Sequence, residues 1–228
     1  MQTTESSQYL VEQSVHALTD TRLDDDYRSC SDSNTTLQTE HMNMNEKMNR
    51  YGKQMRPMTV FHSVKGGSRS MEVSVHACGK AFLRELEPLL PGIDLTNMLV
   101  IPTMQHSSLD LVKIGDPVEA EKDFCLEVFM DFASTFCKRV IECNHFADYV
   151  DPCSGLVMLT KDANKVFSEV DSAQQLLGYA VQNCGCCKVL LHPKWGSAVY
   201  PASIFTTAPM ELVNQILDNL FQIGVNSE

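Results

Sequence analysis

The chain is 228 residues long, 43% hydrophobic and 7% aromatic, with a formal net charge of −11. That is enough apolar material for one good-sized core with a tail, and no run of eighteen apolar residues exists to span a membrane. Residues 1–50 hold nine acids and four bases, −5 of the total, so the acidity is spread; with no concentrated cationic face, nucleic acid is a poor partner.

The opening MQTTESSQYLVEQ has neither the charged start nor the apolar stretch of a secretory signal, and it is too acidic and arginine-poor for a mitochondrial transit peptide. A cytoplasmic protein is expected. Its nine cysteines, an odd number, are then expected to be reduced. Residues 1–56 are polar, acidic and, toward their end, rich in methionine (Met42, Met44, Met48, Met55, with Met58 just beyond). Such a composition cannot offset its own ordering entropy, so a disordered tail is expected, either a linker or a partner-docking segment. The folded domain is expected over 57–228.

MTVFHSV (58–64) predicts a short strand ended by Gly66–Gly67. SMEVSVHAC (70–78) alternates Met71, Val73, Val75 and Ala77 with Glu72, Ser74 and His76, which predicts a half-buried strand. Residues 79–90 change to helical spacing through Phe82, Leu83, Leu86 and Leu90, and 97–105 reads as strand. A long helix follows, with Asp116 as N-cap, Pro117 at the first position and Glu119 as capping-box acid. Phe124, Val128, Phe129, Phe132, Phe136 and Val140 mark its core face. Cys125, Cys137 and Cys143 in the same stretch read as buried apolar fillers.

Residues 145–160 predict strand, turn, strand, the turn carried by Asp151–Pro152 and Ser154–Gly155. Strands are expected at 187–192 and 197–208, the latter at an edge or bulge because of Pro201. Pro209 opens a last helix with Leu212, Ile216, Leu217 and Leu220 on one face. Hairpins outnumber βαβ alternation, so the expected class is α+β with a mostly antiparallel sheet and flanking helices.

No GxGxxG after a strand, Walker loop, HExxH or GxSxG is present. VKGGSRS could touch a phosphate but reads more simply as a turn. The chemistry concentrates in Cys184, Gly185, Cys186 and Cys187, three thiols within four residues. A disulfide, a zinc site, a nucleophile and a ligand for a softer metal all remain open. Cys187 and His192 could begin a zinc site, but no second knuckle completes it. Along a strand from Cys186 to Leu191, Cys187 shares a face with Val189 and Leu191, and Cys186 shares the other with Lys188. Cys187 is therefore expected in the core, and Cys186 as the accessible thiol, its thiolate favoured by Lys188. Cys184 is a candidate resolving thiol, and Gly185 leaves room for a bulky approach.

These residues carry a resemblance. YVDPCSGL, Leu177–Gly178, Gly185 to Val189, Trp195–Gly196 and Ser203 to Thr206 resemble the pattern of the cobalamin-trafficking CblD (MMADHC) family, as does HACGKAFLRELEPLLP. The similarity runs from about residue 57 to the C-terminus. It implies a nitroreductase-like α+β fold whose flavin site is lost, and an adaptor with no catalysis of its own. It implies docking on cobalamin-loaded CblC (MMACHC), which removes the cofactor's upper ligand, with cobalamin directed toward methionine synthase and methylmalonyl-CoA mutase. It also implies that Cys186 is the cobalamin-binding residue, ligating cobalt through its thiolate, a soft ligand suited to a corrin-bound metal. A flavin- or thiol-dependent oxidoreductase on the same fold is the alternative. Cys184 and Cys153 are additional to the family pattern, and a mitochondrial pool in the family has no visible transit peptide to serve it here.

Overall fold

The computed structural model describes residues 50–63, 69–185 and 187–225. The expected tail therefore falls outside the described residues up to position 49, as does the Gly66–Gly67 turn. The described residues hold seven strands and four helices: β1 (Gly52–Ser63), β2 (Arg69–Cys78), α1 (Lys80–Leu86), β3 (Leu99–His106), α2 (Asp116–Glu142), β4 (Ala147–Tyr149), α3 (Glu169–Leu177), β5 (Ala180–Cys184), β6 (Cys187–Leu191), β7 (Val199–Thr206) and α4 (Met210–Val225). Five strands form a sheet in the order β1-β2-β3-β7-β4, and β5 and β6 form a separate two-stranded ribbon. Every pairing is antiparallel, as the hairpin-rich sequence predicts for an α+β chain.

The sheet is covered on both faces. On one, Met71, Val73, Val75, Leu99, Ile101 and Ile204 pack against Phe129, Phe132, Phe136 and Val140 of α2 and Val213 and Leu217 of α4. On the other, Val100 and Phe205 pack with Phe82 and Leu86 of α1, Leu89, Leu90 and Leu176 of α3. The ribbon adds Leu190 to a third cluster with Met104, Ala173 and Val199. The sequence pattern of β2 predicts one solvated face, and here the structure differs: Ser74 and His76 are buried as fully as Val73 and Val75. The polar face survives burial because its members bond to one another and across the fold. Ser74 Oγ lies 2.9 Å from His76 Nε2, and Glu72 reaches a histidine beyond β6.

Several boundaries shift for local reasons. β1 starts ahead of the strand expected at 58–64, because Pro57 sits in an edge strand where register slips between Arg56 and Thr59, a place that tolerates proline. Arg56 ties this edge to α4 through Asn214 (2.9 Å) and Asp218 (2.7 Å). α1 ends at Leu86 instead of running to 90, since Pro88 has no N–H to continue the helical hydrogen-bond ladder. Gly115, not Asp116, holds the N-cap of α2, and no side chain caps it; the Gly115 carbonyl already accepts from Val118 and Glu119. Glu119 instead pairs with Lys122 at 2.9 Å. Cys125 and Cys137 are buried as expected, but Cys143 lies exposed at the C-cap of α2.

The second limb of the predicted hairpin at 145–160 shrinks to a single Val150–Val157 bridge. The buried Asp148 carboxylate is the reason: it shares the Met158 N–H with the Tyr149 carbonyl and accepts those of Leu159 and Thr160, which a longer strand would give to its neighbour. β7 is interior in the sheet order, yet Pro201 costs nothing there. Val150 N–H donates to the Ser203 carbonyl, so Pro201, two residues earlier, points to the same side, where three-residue β4 has already ended. Helix α3 and strand β5 are additional to the elements that the sequence pattern predicts. Their signals were present: the Ser168 side chain accepts from Asp171 N–H as N-cap, and Gly178 is left-handed at the C-cap.

Two buried titratable groups oppose one another in pH. Burial lowers His76 to about 4, so its contribution is intact above 6.5 and lost as pH falls through 4. The Glu169 carboxyl is buried with Oε1 unpartnered, and burial raises it to about 8 against the bond from Ser203. Its contribution is complete below 4.5 and lost as pH rises through 8. Between pH 6.5 and 8 Glu169 acts without His76 against it. The thermal unfolding midpoint should fall across that window, and Glu169→Gln should flatten the fall; an equal fall in the variant would show another group responsible.

Candidate functional site

The candidate site is the hairpin β5–β6, and it is built from the end of α3 outward. Gly178 stops the helix, Tyr179 turns the chain, and β5 then pairs with β6 in the register Ala180–Leu191, Val181–Leu190, Gln182–Val189, Asn183–Lys188 and Cys184–Cys187. Two positions, 185 and 186, separate the closing pair. Gly185 has φ +62°, the left-handed backbone that two-residue hairpin turns of the primed kind demand at their first position. A side chain placed there would meet nothing within 4 Å among the described residues, which leave the space before the turn open. Cys186 itself lies outside the described residues.

Alternation divides the ribbon into two faces. Val181, Asn183, Lys188 and Leu190 share the inner one. Leu190 is buried against Met104 and Ala173, and the Lys188 ammonium reaches Asp171 of α3 at 2.7 Å. Cys184 and Cys187 share the outer face with Gln182 and Val189, and both cysteines are exposed. This corrects the expected burial of Cys187. The alternation itself holds; the core lies on the Lys188 and Leu190 face because α3, unseen in the sequence, supplies a carboxylate for the lysine. Lys188 in turn is engaged by Asp171, whose carboxyl it lowers together with smaller contributions, and it is not a cation reserved for a thiolate.

Beyond β6 the chain makes the turn His192 to Gly196, closed by paired backbone bonds of 2.8 Å. Inside it, the N–H groups of Lys194 and Trp195 donate to His192 Nδ1 at 3.2 and 3.3 Å. The proton therefore sits on Nε2, which donates to Glu72 Oε2 of β2 at 3.2 Å. Burial lowers the His192 pKa despite the facing carboxylate, so the ring is neutral. Trp195 stacks on His192 at 4.2 Å and on His106 at 4.9 Å, with Tyr179 edge-on to His192. Both nitrogens of His192 are thus engaged, leaving no lone pair for a zinc ion beside Cys187. Among the described residues no group of three or more His, Cys, Asp or Glu could hold a metal, and no helix is long and apolar enough to cross a membrane.

The second recognisable segment is the turn Asp151 to Leu156. Asp151 Oδ1 accepts Cys153 N–H (3.0 Å) and its Oδ2 accepts the Ser154 hydroxyl (2.7 Å). Gly155 closes the turn with φ +70°, against Val166 and the Phe167 carbonyl. The Cys153 thiol lies 3.8 Å from the Tyr200 hydroxyl, and burial raises its pKa first, which makes it a poor nucleophile. Glu72, Asp171 and Tyr179 position the hairpin without having been singled out in the sequence. Nothing local marks them, since each acts on a residue far along the chain.

The profile of the family described as methylmalonic aciduria and homocystinuria type D protein (MMADHC) matches residues 5–220. Proteins named cobalamin trafficking protein CblD from Rattus norvegicus and Mus musculus are each 31% identical over 141 residues, 62% of this chain and 48% of theirs. The protein of that name from Homo sapiens is 30% identical over 141 residues, again 62% of this chain and 48% of its own. The chain spans about half the length of the curated relatives it matches.

Exposure predicts how these residues respond to substitution. Cys187→Ser should change stability by less than about 0.5 kcal/mol. Gly155→Ala should cost more than about 1 kcal/mol, because it combines left-handed backbone with a clash against Val166. Urea denaturation separates the two; comparable losses in both variants would place Cys187 in the core after all.

Proposed function

The chain belongs to the MMADHC family, and from that premise we propose that it is an adaptor in cobalamin trafficking that docks on a cobalamin-loaded CblC (MMACHC)-type protein and offers the Cys186 thiolate to cobalt. In this reading it performs no reaction of its own and carries no flavin. Its α+β fold is a nitroreductase-like one turned to protein interaction, and the cofactor it helps to move serves methionine synthase and methylmalonyl-CoA mutase. Relatives named for cobalamin trafficking support the general role.

The observation that carries the finer reading is the hairpin turn. A cysteine at the second turn position follows a left-handed glycine with open space before it, and its sequence neighbours Cys184 and Cys187 are exposed. A corrin is broad and flat, so its metal can be reached only by a ligand at the end of a narrow projection. A thiolate is also a soft ligand appropriate to that metal. The ribbon behind the turn is held at three points, by Leu190, by Lys188–Asp171 and by the turn at His192. That holding limits the conformational cost of docking.

The test is an absorbance spectrum of cobalamin-loaded CblC mixed with the full chain. A thiolate–cobalt band should form with the wild type, vanish with Cys186→Ser, and persist with Cys187→Ser. An unchanged band in Cys186→Ser would sink the assignment. Stoichiometric flavin absorbance in the purified protein would replace the adaptor reading with an oxidoreductase.

A further inference from the structure

We propose that Cys184 and Cys187 form a reversible cross-strand disulfide at the base of the hairpin turn, made by exchange with a low-molecular-weight disulfide such as oxidised glutathione. The argument begins with register. Cys184 and Cys187 are Cα partners, the closing pair of the β5–β6 ribbon. Directly opposite residues on an antiparallel pair send their side chains to the same face. Both belong to the outer face, away from Leu190 and α3, and both are exposed. A small disulfide can therefore reach either one.

Distance makes the bond attainable and weak at once. Opposed residues of an antiparallel ladder have Cα atoms about 4.5–5.5 Å apart, inside the span of about 4.4–6.8 Å that a disulfide bridges. Their Cβ atoms lie about 4.5–5.5 Å apart, whereas a disulfide prefers about 3.8 Å. Closing it draws the strands together near the turn, and a strained, exposed disulfide is a readily reduced one. The spacing along the chain, Cys184-Gly185-Cys186-Cys187, is also the C-x-x-C spacing of dithiol redox pairs. Here the pairing comes from a hairpin and not from a helix N-terminus.

The exchange balances without further reagents. One thiolate of the pair attacks a glutathione sulfur; a protein–glutathione disulfide forms, the glutathione S–S bond breaks, and one glutathione thiolate leaves. The second thiolate attacks the protein sulfur of that mixed disulfide and expels the other glutathione. Two protein thiols are oxidised by two electrons, one disulfide becomes two thiols, and the two protons end on glutathione. The closed pair leaves Cys186 as the one thiol among the three, so the state of the pair sets how many sulfurs the turn presents.

The full chain, without cobalamin, is incubated with oxidised glutathione, blocked with N-ethylmaleimide and mapped by fragmentation mass spectrometry. The wild type should lose two hydrogens in the peptide holding all three cysteines, with the label on Cys186 alone, and dithiothreitol should restore labelling of all three. Cys184→Ser and Cys187→Ser should each lose the bridge and carry a glutathione adduct on the remaining partner. A bridge through Cys186, or separate glutathione adducts with no bridge in the wild type, would overturn the proposal. Because no cobalt is involved, the outcome stands apart from the trafficking reading.

Discussion

Glu72 on β2 and His192 beyond β6 meet at 3.2 Å, and the position of the ribbon follows from that contact. Both groups are nearly withdrawn from water, with side-chain exposures of 12% and 3%. A carboxylate in such a place must find a donor, and the neutral imidazole supplies one. The imidazole can do so because two amides of its own turn occupy Nδ1. A hydrogen bond to a charged acceptor is worth about 1.5–3 kcal/mol, and leaving either member unpaired costs a comparable amount. The pair thus ties two segments 120 residues apart more by the penalty for separation than by attraction.

From this anchor the ribbon extends outward. Its inner face is held by Leu190 in the core and by Lys188 on Asp171; its outer face holds Cys184 and Cys187. Stacking of Trp195 between His192 and His106 closes the anchor from the side. The result is a short projection rigid at its root and open at its turn. Thiol chemistry at such a place is set by access and register, since the nearby lysine is committed to helix α3.

The Asp148 carboxylate organises the opposite edge by a similar means. It accepts four backbone N–H groups, from Tyr149, Met158, Leu159 and Thr160. A fully buried carboxylate is stable only with such a set of donors. In taking them it ends β4 early, pins residues 157–160 beside the sheet and leaves Asp151 to Gly155 as a compact turn. The early end of β4 is also what lets Pro201 sit within β7.

The sequence by itself determined the class and most of the sheet. Period-two alternation marked β2, the three- and four-residue steps of the phenylalanines marked α2, and both signals are local, carried by neighbours along the chain. It also carried, through its motifs, the family. Only the tertiary structure decided which face of β6 meets the core. Alternation says that Cys187 and Leu190 differ in face; it cannot say which face is inside, because that depends on where α3 lies and on Asp171 waiting for Lys188. The same holds for the polar face of β2. Glu72, Ser74 and His76 look solvated until a covering layer brings His192 to them, and a partner 120 residues distant leaves no periodic trace. The opposition of Cys184 and Cys187 was decided there too, since β-register is a relation between two strands and neither strand contains it alone.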